Sequence, residues 1–437
     1  MFNIRVLNTP IEFILNEKLL QFIWQFALFQ AVGLQLKDGR GLTIINRGTL
    51  NRNAGPDFSN AKIRIQNTIW AGNIELHVKE SDWKKHKHHE EPAYQNIILH
   101  VVYTSDLSED AGNFPVLELK PYISVALMDY YTTLMQSPVS IPCAPHLQNI
   151  PDLVWQSWLQ RMLLEKWELK FTRWQEILRQ AQGNWSQLFY QVFTRNFGSK
   201  VNDDAFEELA KVSPLAVLAK HKDNLTHIEA LLFGQAGMIP QQPQNPYEIE
   251  LSIHYAFFKQ KYGLQAMQAR QWKFLRMRPA GFPSIRIAQL AMILYKSEQL
   301  FASLLNVQQP DDIRHLFELG VSQYWETHYT FQKESKVKSQ KHLGHAMQAL
   351  IWINTIVPMQ YFYGLNQEGL NKLQDTITKL QQTAQEDNSV IKTWRQSGIK
   401  PGSAWDTQAL LHLFRQYCTA KKCLECSIGL WFLKTCR

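Results

Sequence analysis

The sequence predicts an α+β protein, with an α/β head over residues 1–145 followed by an all-helical body over residues 146–437. Short runs of β-branched and aromatic residues, separated by turn residues, are confined to the first part of the chain. Beyond residue 145 the apolar residues recur at three-to-four spacing almost throughout. The chain is 45% hydrophobic and 19% charged, a composition that is typical of folded proteins and excludes global disorder.

The head is predicted to contain a helix, three strands, a second helix and two further strands. The first helix is expected within residues 16–32, where the apolar residues fall on one face. The second is expected over residues 81–95, a polar stretch rich in histidine that begins with the capping candidates Ser81 and Asp82. The predicted strands are Leu42–Asn46, Ala61–Trp70, Asn73–Val78, Asn96–Tyr103 and Val116–Leu119.

The body is predicted to be a succession of amphipathic helices. They are expected over residues 151–182, 184–195, 203–219, 224–235, 247–260, 285–305, 310–318, 341–357, 366–385 and 407–433. Turn-rich segments at 238–245 and 398–403 divide the body near residues 240 and 400. The stretch Ala346–Leu365 carries no charge, but it contains Pro358 and several polar side chains, so we expect a buried helix ending at Pro358 and no membrane span.

The charge balance allows a polyanionic partner. Lys and Arg number 46 against 38 Asp and Glu, which gives a net charge of +8 and permits nucleic acid as a partner without requiring it. The first residues lack the basic start, apolar run and cleavage site of a secretory signal. We therefore expect the cytoplasm of a bacterium, with reduced thiols and no membrane partner. Nothing in the sequence indicates an oligomeric state.

Charged and imidazole side chains cluster along two predicted strands of the head. Asp57 stands at the start of one strand, and Glu75, His77 and Lys79 alternate along the next, opposite its apolar face. Two carboxylates at neighbouring strand ends supply the oxygen ligands that Mg²⁺ or Mn²⁺ needs, while a third group positions or deprotonates water. The sequence therefore predicts a metal site with Asp57 and Glu75 as ligands and with His77 or Lys79 acting on water.

This arrangement resembles the restriction-endonuclease-like PD-(D/E)xK nuclease superfamily. Pro56-Asp57 matches the first half of the motif, and Glu75-Leu76-His77 matches the second half, with histidine in the place of lysine. Glu17 lies where members often supply another acidic ligand. The resemblance implies a nuclease-like head and a metal-dependent phosphodiesterase acting on nucleic acid. Because His77 brings no permanent charge, a second interpretation stays open, namely a non-catalytic scaffold that binds nucleic acid or protein.

Histidines are concentrated in the same region. Five of the fourteen fall within 24 residues: His77, His86, His88, His89 and His100. They predict further metal or phosphate contacts beside Glu75, a proton relay, or imidazoles that are simply packed in the core. On a helix over residues 81–95, His86 and His89 would share a face while His88 would point elsewhere.

Four strings of the head are distinctive. They are Asn53-Ala54-Gly55-Pro56-Asp57-Phe58, Gly72-Asn73-Ile74-Glu75-Leu76-His77, Ser81-Asp82-Trp83 with His86 and His88, and Ile98-Leu99-His100-Val101-Val102. Through these strings the chain is similar to a bacterial family called domain of unknown function 2851, and the similarity extends over the full chain. That family has no assigned activity, so the resemblance implies relatedness alone.

A basic segment in the body is a second candidate contact for nucleic acid. Arg276 and Arg278 lie close to Trp272 and Phe274, and arginines beside aromatic residues suit a phosphate backbone and stacked bases. The alternative is a solvated loop with Trp272 and Phe274 packed beneath it.

Four of the five cysteines fall in the last twenty residues. Their spacing is C-x4-C-x2-C-x9-C, and Cys143 is an alternative fourth member; the four are Cys418, Cys423, Cys426 and Cys436. Four thiolates suit zinc or an iron–sulfur cluster, and the superfamily named above includes cluster-bearing nucleases. The alternative is buried or free thiols, because Cys418 and Cys426 would not converge with Cys423 on an unbroken helix.

Overall fold

The structure is a computed structural model that describes residues 15–109, 112–367 and 372–435. These residues form two compact units. The first unit comprises the described residues up to Met162, together with residues 388–400 and the described part of 410–437. The second comprises the described residues between Leu163 and Asp387, together with residues 401–409. The predicted α+β class is confirmed, since a mixed sheet precedes a long helical part of the chain.

The strands of the first unit follow the predicted order, but the short strands β1 and β3 were not predicted and one boundary is displaced. They are β1 (Leu34–Gln35), β2 (Gly41–Asn46), β3 (Thr49–Leu50), β4 (Phe58–Ile65), β5 (Thr68–Lys79), β6 (Ile97–Thr104) and β7 (Val116–Glu118). The single strand predicted over Ala61–Trp70 is wrong, because β4 and β5 are joined there by a two-residue hairpin turn. Gln66 in this turn has a φ of 51°, the left-handed conformation that tight hairpins require.

The helices occupy much of the remaining chain. They are α1 (Glu17–Gln25), α2 (Asp82–Lys85), α3 (Val125–Gln136), α4 (Asp152–Gln180), α5 (Trp185–Asn196), α6 (Asp203–Val212), α7 (Leu215–Ala219), α8 (Leu225–Gln235), α9 (Pro246–Tyr262), α10 (Pro283–Lys296), α11 (Leu300–Leu305), α12 (Arg314–Phe317), α13 (Gln323–Thr327), α14 (His345–Ile351), α15 (Val357–Gln367), α16 (Leu373–Gln382), α17 (Ser389–Gln396), α18 (Ala404–Leu413) and α19 (Ser427–Thr435). A small hairpin, β8 (His328–Thr330) and β9 (Lys333–Glu334), lies within the second unit.

The sheet of the first unit changes from antiparallel to parallel at β5. Its order is β1-β2-β4-β5-β6-β7, with β3 paired to β4. The pairs from β1 to β5 are antiparallel, whereas β5–β6 and β6–β7 are parallel. A parallel pair needs a crossover, and residues 80–96, which include α2, supply the one between β5 and β6.

One face of this sheet packs on α1 and α3 to form the main core. Ile74 and Leu76 of β5 are fully buried there, and Leu433 of α19 belongs to the same cluster. The opposite face of β5 is also buried at Glu75 and His77, which are 5% and 1% exposed. The sequence predicted a single buried face, but the crossover covers the second face as well.

The uncharged stretch Ala346–Leu365 continues as a helix beyond Pro358, so the predicted end at Pro358 is wrong. A π-helical segment, Trp352–Ile356, joins α14 to α15. Pro358 has no N–H to donate to the carbonyl of Asn354 four residues earlier, and Nζ of Lys170 donates to that carbonyl instead at 2.9 Å. Within the described ranges, no helix is both long enough and apolar enough to span a bilayer.

Candidate metal centre

Asp57 and Glu75 lie side by side where β4 begins against β5. The N–H of Asp57 donates to Oε2 of Glu75 at 3.0 Å, and the N–H of Leu76 donates to Oδ2 of Asp57 at 3.1 Å. These reciprocal bonds fix both carboxyl groups to the backbone of the opposite strand. The structure thus brings together the two carboxylates that the sequence analysis singled out.

Helix α1 adds two polar side chains one turn apart. The N-cap Asn16 accepts from the N–H of Leu19 and starts the helix directly before Glu17. Nε2 of Gln21 donates to Oδ1 of Asp57 at 2.7 Å. The sequence analysis missed Gln21, although its spacing of four residues from Glu17 places both on one helix face.

The carboxyl groups are hard to ionise together. Burial raises the pKa of Asp57 to about 6, and the charge of Glu17 opposes its ionisation further. Burial raises the pKa of Glu75 to about 9, with Asp57 and then Glu17 adding to the effect. Among the described residues, no lysine or arginine forms an ion pair with Asp57 or Glu75. Without a cation beside them, these carboxyl groups therefore hold a proton at neutral pH.

The crossover after β5 brings two histidines back towards Glu75. Helix α2 ends at Lys85, and the predicted helix over residues 81–95 is wrong beyond that point. Lys87 has a φ of 59°, so the chain leaves the helical path before it enters a short 3₁₀ turn, His88–Glu90. The helical spacing that would pair His86 with His89 is lost, and His88 joins His86 instead.

The imidazoles surround one carboxylate oxygen. Oε1 of Glu75 lies 3.5 Å from Nε2 of His88 and 3.8 Å from Nε2 of His77. Nδ1 of His86 lies 3.2 Å from Nε2 of His77. One ring nitrogen from each of the three histidines lies within 4.8 Å of the others, and no other such set of His, Cys, Asp or Glu occurs in the described parts of the chain.

His100 supports His77 from the neighbouring strand. Nδ1 of His77 lies 2.9 Å from Nε2 of His100, and His100 pairs with Glu75 in the β5–β6 register. Burial lowers the pKa of both imidazoles to about 3, and adjacent imidazoles lower it further. Both rings are therefore neutral at physiological pH, which is the state required of a metal ligand.

Aromatic side chains enclose the imidazoles. Trp83 is buried, and its ring centroid lies 5.4 Å from that of His88 and 5.5 Å from that of His100. Tyr94 stacks on His88 with centroids 4.0 Å apart. Phe114 packs on both Trp83 and His100. These rings limit the access of water, so any charge held at Glu75 interacts strongly with its neighbours.

The donor set fits a divalent transition metal. Carboxylate oxygens with imidazole nitrogens suit Mn²⁺ or Zn²⁺ better than Mg²⁺, which prefers oxygen ligands and water. Nδ1 of His88 is buried and has no hydrogen-bond partner, so this nitrogen is not committed to another protein group. Glu75 links Asp57 on one side to His77 and His88 on the other.

The other basic candidates occupy exposed positions in the chain. Lys79 is exposed at the end of β5, and its N–H donates to Oδ2 of Asp82. Arg276 and Arg278 are exposed in a loop of the second unit. Beneath that loop Trp272 is buried and donates to the carbonyl of Ala236 at 2.8 Å, as the solvated-loop interpretation expects.

The cysteines belong to the first unit and not to the predicted continuous helix. Cys418, Cys423 and Cys426 are buried, and Cys143 is half-buried. Cys436 lies outside the described residues.

Comparison with known proteins adds a family but no activity. The sequence matches the family described as "Protein of unknown function (DUF2851)" over residues 17–389. No curated protein and no solved structure matches the chain significantly. The matched range contains Glu17, both carboxylates of the pair and all the histidines described above. The chain therefore belongs to the DUF2851 family.

Proposed function

We propose that the head binds a divalent cation through Asp57, Glu75 and His77 and hydrolyses phosphodiester bonds of nucleic acid. The observation that carries this proposal is the convergence of Glu75 Oε1 with ring nitrogens of His77 and His88, at 3.8 and 3.5 Å. When bound, such a cation polarises a phosphate oxygen and lowers the pKa of water. The net charge of +8 supports a polyanionic substrate.

The carboxyl groups hold the cation. Asp57 and Glu75 are fixed by backbone amides, and Glu17 adds a third negative charge from α1. Because imidazoles contribute to the same group, we favour Mn²⁺ over Mg²⁺ as the activating ion.

His77 acts here as a ligand and a positioning group for water, not as a strong base. With a pKa near 3 it accepts a proton only weakly. In the tautomer in which its Nδ1 donates to His100, its Nε2 keeps a lone pair and lies 3.2 Å from Nδ1 of His86 and 3.8 Å from Oε1 of Glu75. Lys79 provides an exposed positive charge two residues further along the strand, where it attracts the phosphate backbone.

The test is cleavage of plasmid DNA, single-stranded DNA and RNA with Mn²⁺. We compare the wild type with Glu75→Gln and Asp57→Asn, whose remaining carbonyl oxygens can still accept the backbone N–H bonds. Both substitutions are expected to lower the cleavage rate by about 10²-fold or more, because each removes a charge that holds the ion. The matched control is Asp38→Asn, a head carboxylate that pairs with Arg40 and is expected to cleave at the wild-type rate. Equal cleavage by all four proteins would assign the activity to a contaminant and contradict the proposal.

A second function is favoured by one feature of the same site. The backbone bonds to Asp57 and Glu75 join β4 to β5, which is a structural role that a non-catalytic scaffold would also need. Such a scaffold would bind nucleic acid or protein without cleaving it. Nucleic acid binding that is equal in wild type and Glu75→Gln, with no cleavage by either, would support this function.

A further inference from the structure

The segment that carries three cysteines runs from a helical end into a compact loop. A π-helical turn, Phe414–Cys418, is followed by Lys421 with a φ of 50° and by a 3₁₀ turn, Cys423–Glu425. Lys422 N–H donates to the carbonyl of Tyr417 at 2.9 Å, which closes the loop on itself. The continuous helix predicted over residues 407–433 is therefore wrong. The argument that these three cysteines cannot converge depended on that helix and no longer applies.

Cys143, which is distant in sequence from the other cysteines, lies close to this loop. Cys143 precedes a 3₁₀ turn in which the N–H of His146 donates to the carbonyl of Cys143 at 3.0 Å. The ring of His146 packs on Phe432 of α19 with centroids 5.8 Å apart. Helix α19 begins directly after Cys426, so the segment around Cys143 lies against the loop although the two are far apart in sequence.

The loop and the segment around Cys143 bring the four thiols within electrostatic range of one another. Burial raises the pKa of Cys143 to about 12, and the thiols of Cys426 and Cys423 raise it further. Burial is also the main cause of the raised pKa of Cys418, followed by its interactions with the other three thiols. The same order of causes holds for Cys423, with Cys426 as its neighbour.

Two contacts at the end of the loop involve Cys426 and Cys423. Backbone N–H groups of Gly429 and Ile428 donate to the sulfur of Cys426 and oppose the effect of burial on its pKa. A Cβ at position 429 would lie 2.0 Å from the carbonyl oxygen of Cys423, so only glycine allows this close approach. Amide donors directed at sulfur are typical of the surroundings of thiolate-bound metals.

We propose that four cysteines of the first unit bind one metal centre through their thiolates: Cys143, Cys418, Cys423 and Cys426. The ligand chemistry suits a single Zn²⁺ or an iron–sulfur cluster. In a tetrahedral zinc site with Zn–S bonds of about 2.3 Å, the sulfurs lie only about 3.8 Å apart. In the described residues no three cysteine sulfurs lie within 4.8 Å of one another, so the sulfurs would have to move closer together to bind a single zinc ion.

The experiment measures metal in the full chain, purified without oxygen and without a histidine tag. We use a His77→Ala/His88→Ala background, so that the histidine group contributes no metal. Iron and acid-labile sulfide in equal amounts, with a visible chromophore, identify a cluster; one zinc per chain without sulfide identifies the single ion. Either result supports the four-cysteine centre.

Cys143→Ser is the informative variant, and Cys436→Ser is its matched control. We expect Cys143→Ser to lose at least about tenfold in bound metal and Cys436→Ser to retain all of it. If Cys143→Ser fails to fold, we replace this variant by a thiol titration of the background protein. The titration is done before and after metal removal, and four more thiols should react after removal than before it. Absence of metal and sulfide after anaerobic reconstitution, or full metal content in Cys143→Ser, would overturn the proposal.

Discussion

Glu75 in the first unit and Glu229 in the second are both buried carboxyl groups, 5% and 1% exposed, but their partners differ. Glu229 accepts from the hydroxyls of Ser322 at 2.7 Å and Tyr247 at 3.0 Å, and burial raises its pKa to about 7. Glu75 accepts from one backbone amide, faces imidazoles with its other oxygen, and has a pKa of about 9.

The difference separates a structural carboxyl group from one suited to a ligand. Each oxygen of Glu229 has a hydroxyl donor, so the side chain serves packing and hydrogen bonding. Oε1 of Glu75 faces ring nitrogens that have lone pairs when neutral, beside a second carboxylate. Such a group is stabilised either by protonation of a carboxyl group or by a bound cation.

The largest expected effect is on metal affinity. His88→Ala should weaken Mn²⁺ or Zn²⁺ binding by more than about 10²-fold, because loss of an outer partner alone costs about 10- to 100-fold. Isothermal titration of the full chain measures this. His315→Ala, an exposed histidine of the second unit, and Glu229→Gln should both bind as the wild type does. Unchanged affinity in His88→Ala would remove the distinction between the two carboxyl groups.

A smaller loss is expected for Gln21→Ala. Its amide fixes Oδ1 of Asp57, so its removal should reduce metal affinity by about 10- to 100-fold while leaving the ligands present. We expect Gln21→Asn to lose metal affinity as well, because the shorter side chain does not reach Oδ1 of Asp57. If Gln21→Ala binds metal normally, Asp57 is oriented by the Leu76 amide alone.

Glu229→Gln should change the pH dependence of stability. The folded pKa of about 7 lies above the ordinary value of 4.5, so the folded state binds the proton more tightly. Stability from this group is present below pH 4.5 and is lost as the pH rises through 7. The amide does not ionise, so we expect Glu229→Gln to flatten this loss, by about 1–3 kcal/mol at pH 8, in urea unfolding. A wild-type curve that is level between pH 5 and 8 would contradict the raised pKa.

The smallest effect is expected in the exposed loop of the second unit. Because the aromatic residues beneath the loop are packed, we expect Arg276→Gln/Arg278→Gln to change nucleic acid affinity by less than about twofold. Titration at several salt concentrations checks this. A salt slope reduced by about 2 would instead assign both arginines to phosphate contacts.

The carboxylate pair could be predicted because the residues that form it lie in short, recognisable sequence motifs. Pro56-Asp57 and Glu75-Leu76-His77 each lie at recognisable strand positions. Pairing of β4 with β5 in a hairpin then places Asp57 beside Glu75. The turn was predicted at Ala71-Gly72 and lies instead at Gln66-Asn67, where neither residue is a glycine or a proline.

The histidine group and the cysteine loop could not be predicted, because both depend on backbone conformations that the residue types do not indicate. Lys87 and Lys421 both adopt positive φ, which lysine rarely does, and each reverses the chain at its site. Tertiary packing selects these conformations against local preference. The association of residues 388–400 and 410–435 with the first unit is likewise absent from any local pattern.

The place of Leu433 in the core of the sheet has a consequence for the order of folding. Leu433 is fully buried in a cluster with Ile23 of α1 and Leu99 of β6. During synthesis those early residues leave the ribosome long before α19, and the whole second unit is made in between. We therefore expect a chain truncated at residue 409 to bind a hydrophobic dye at its exposed sheet face and to lose the cooperative unfolding of the head, while the second unit still folds. The head is encoded first and completed last.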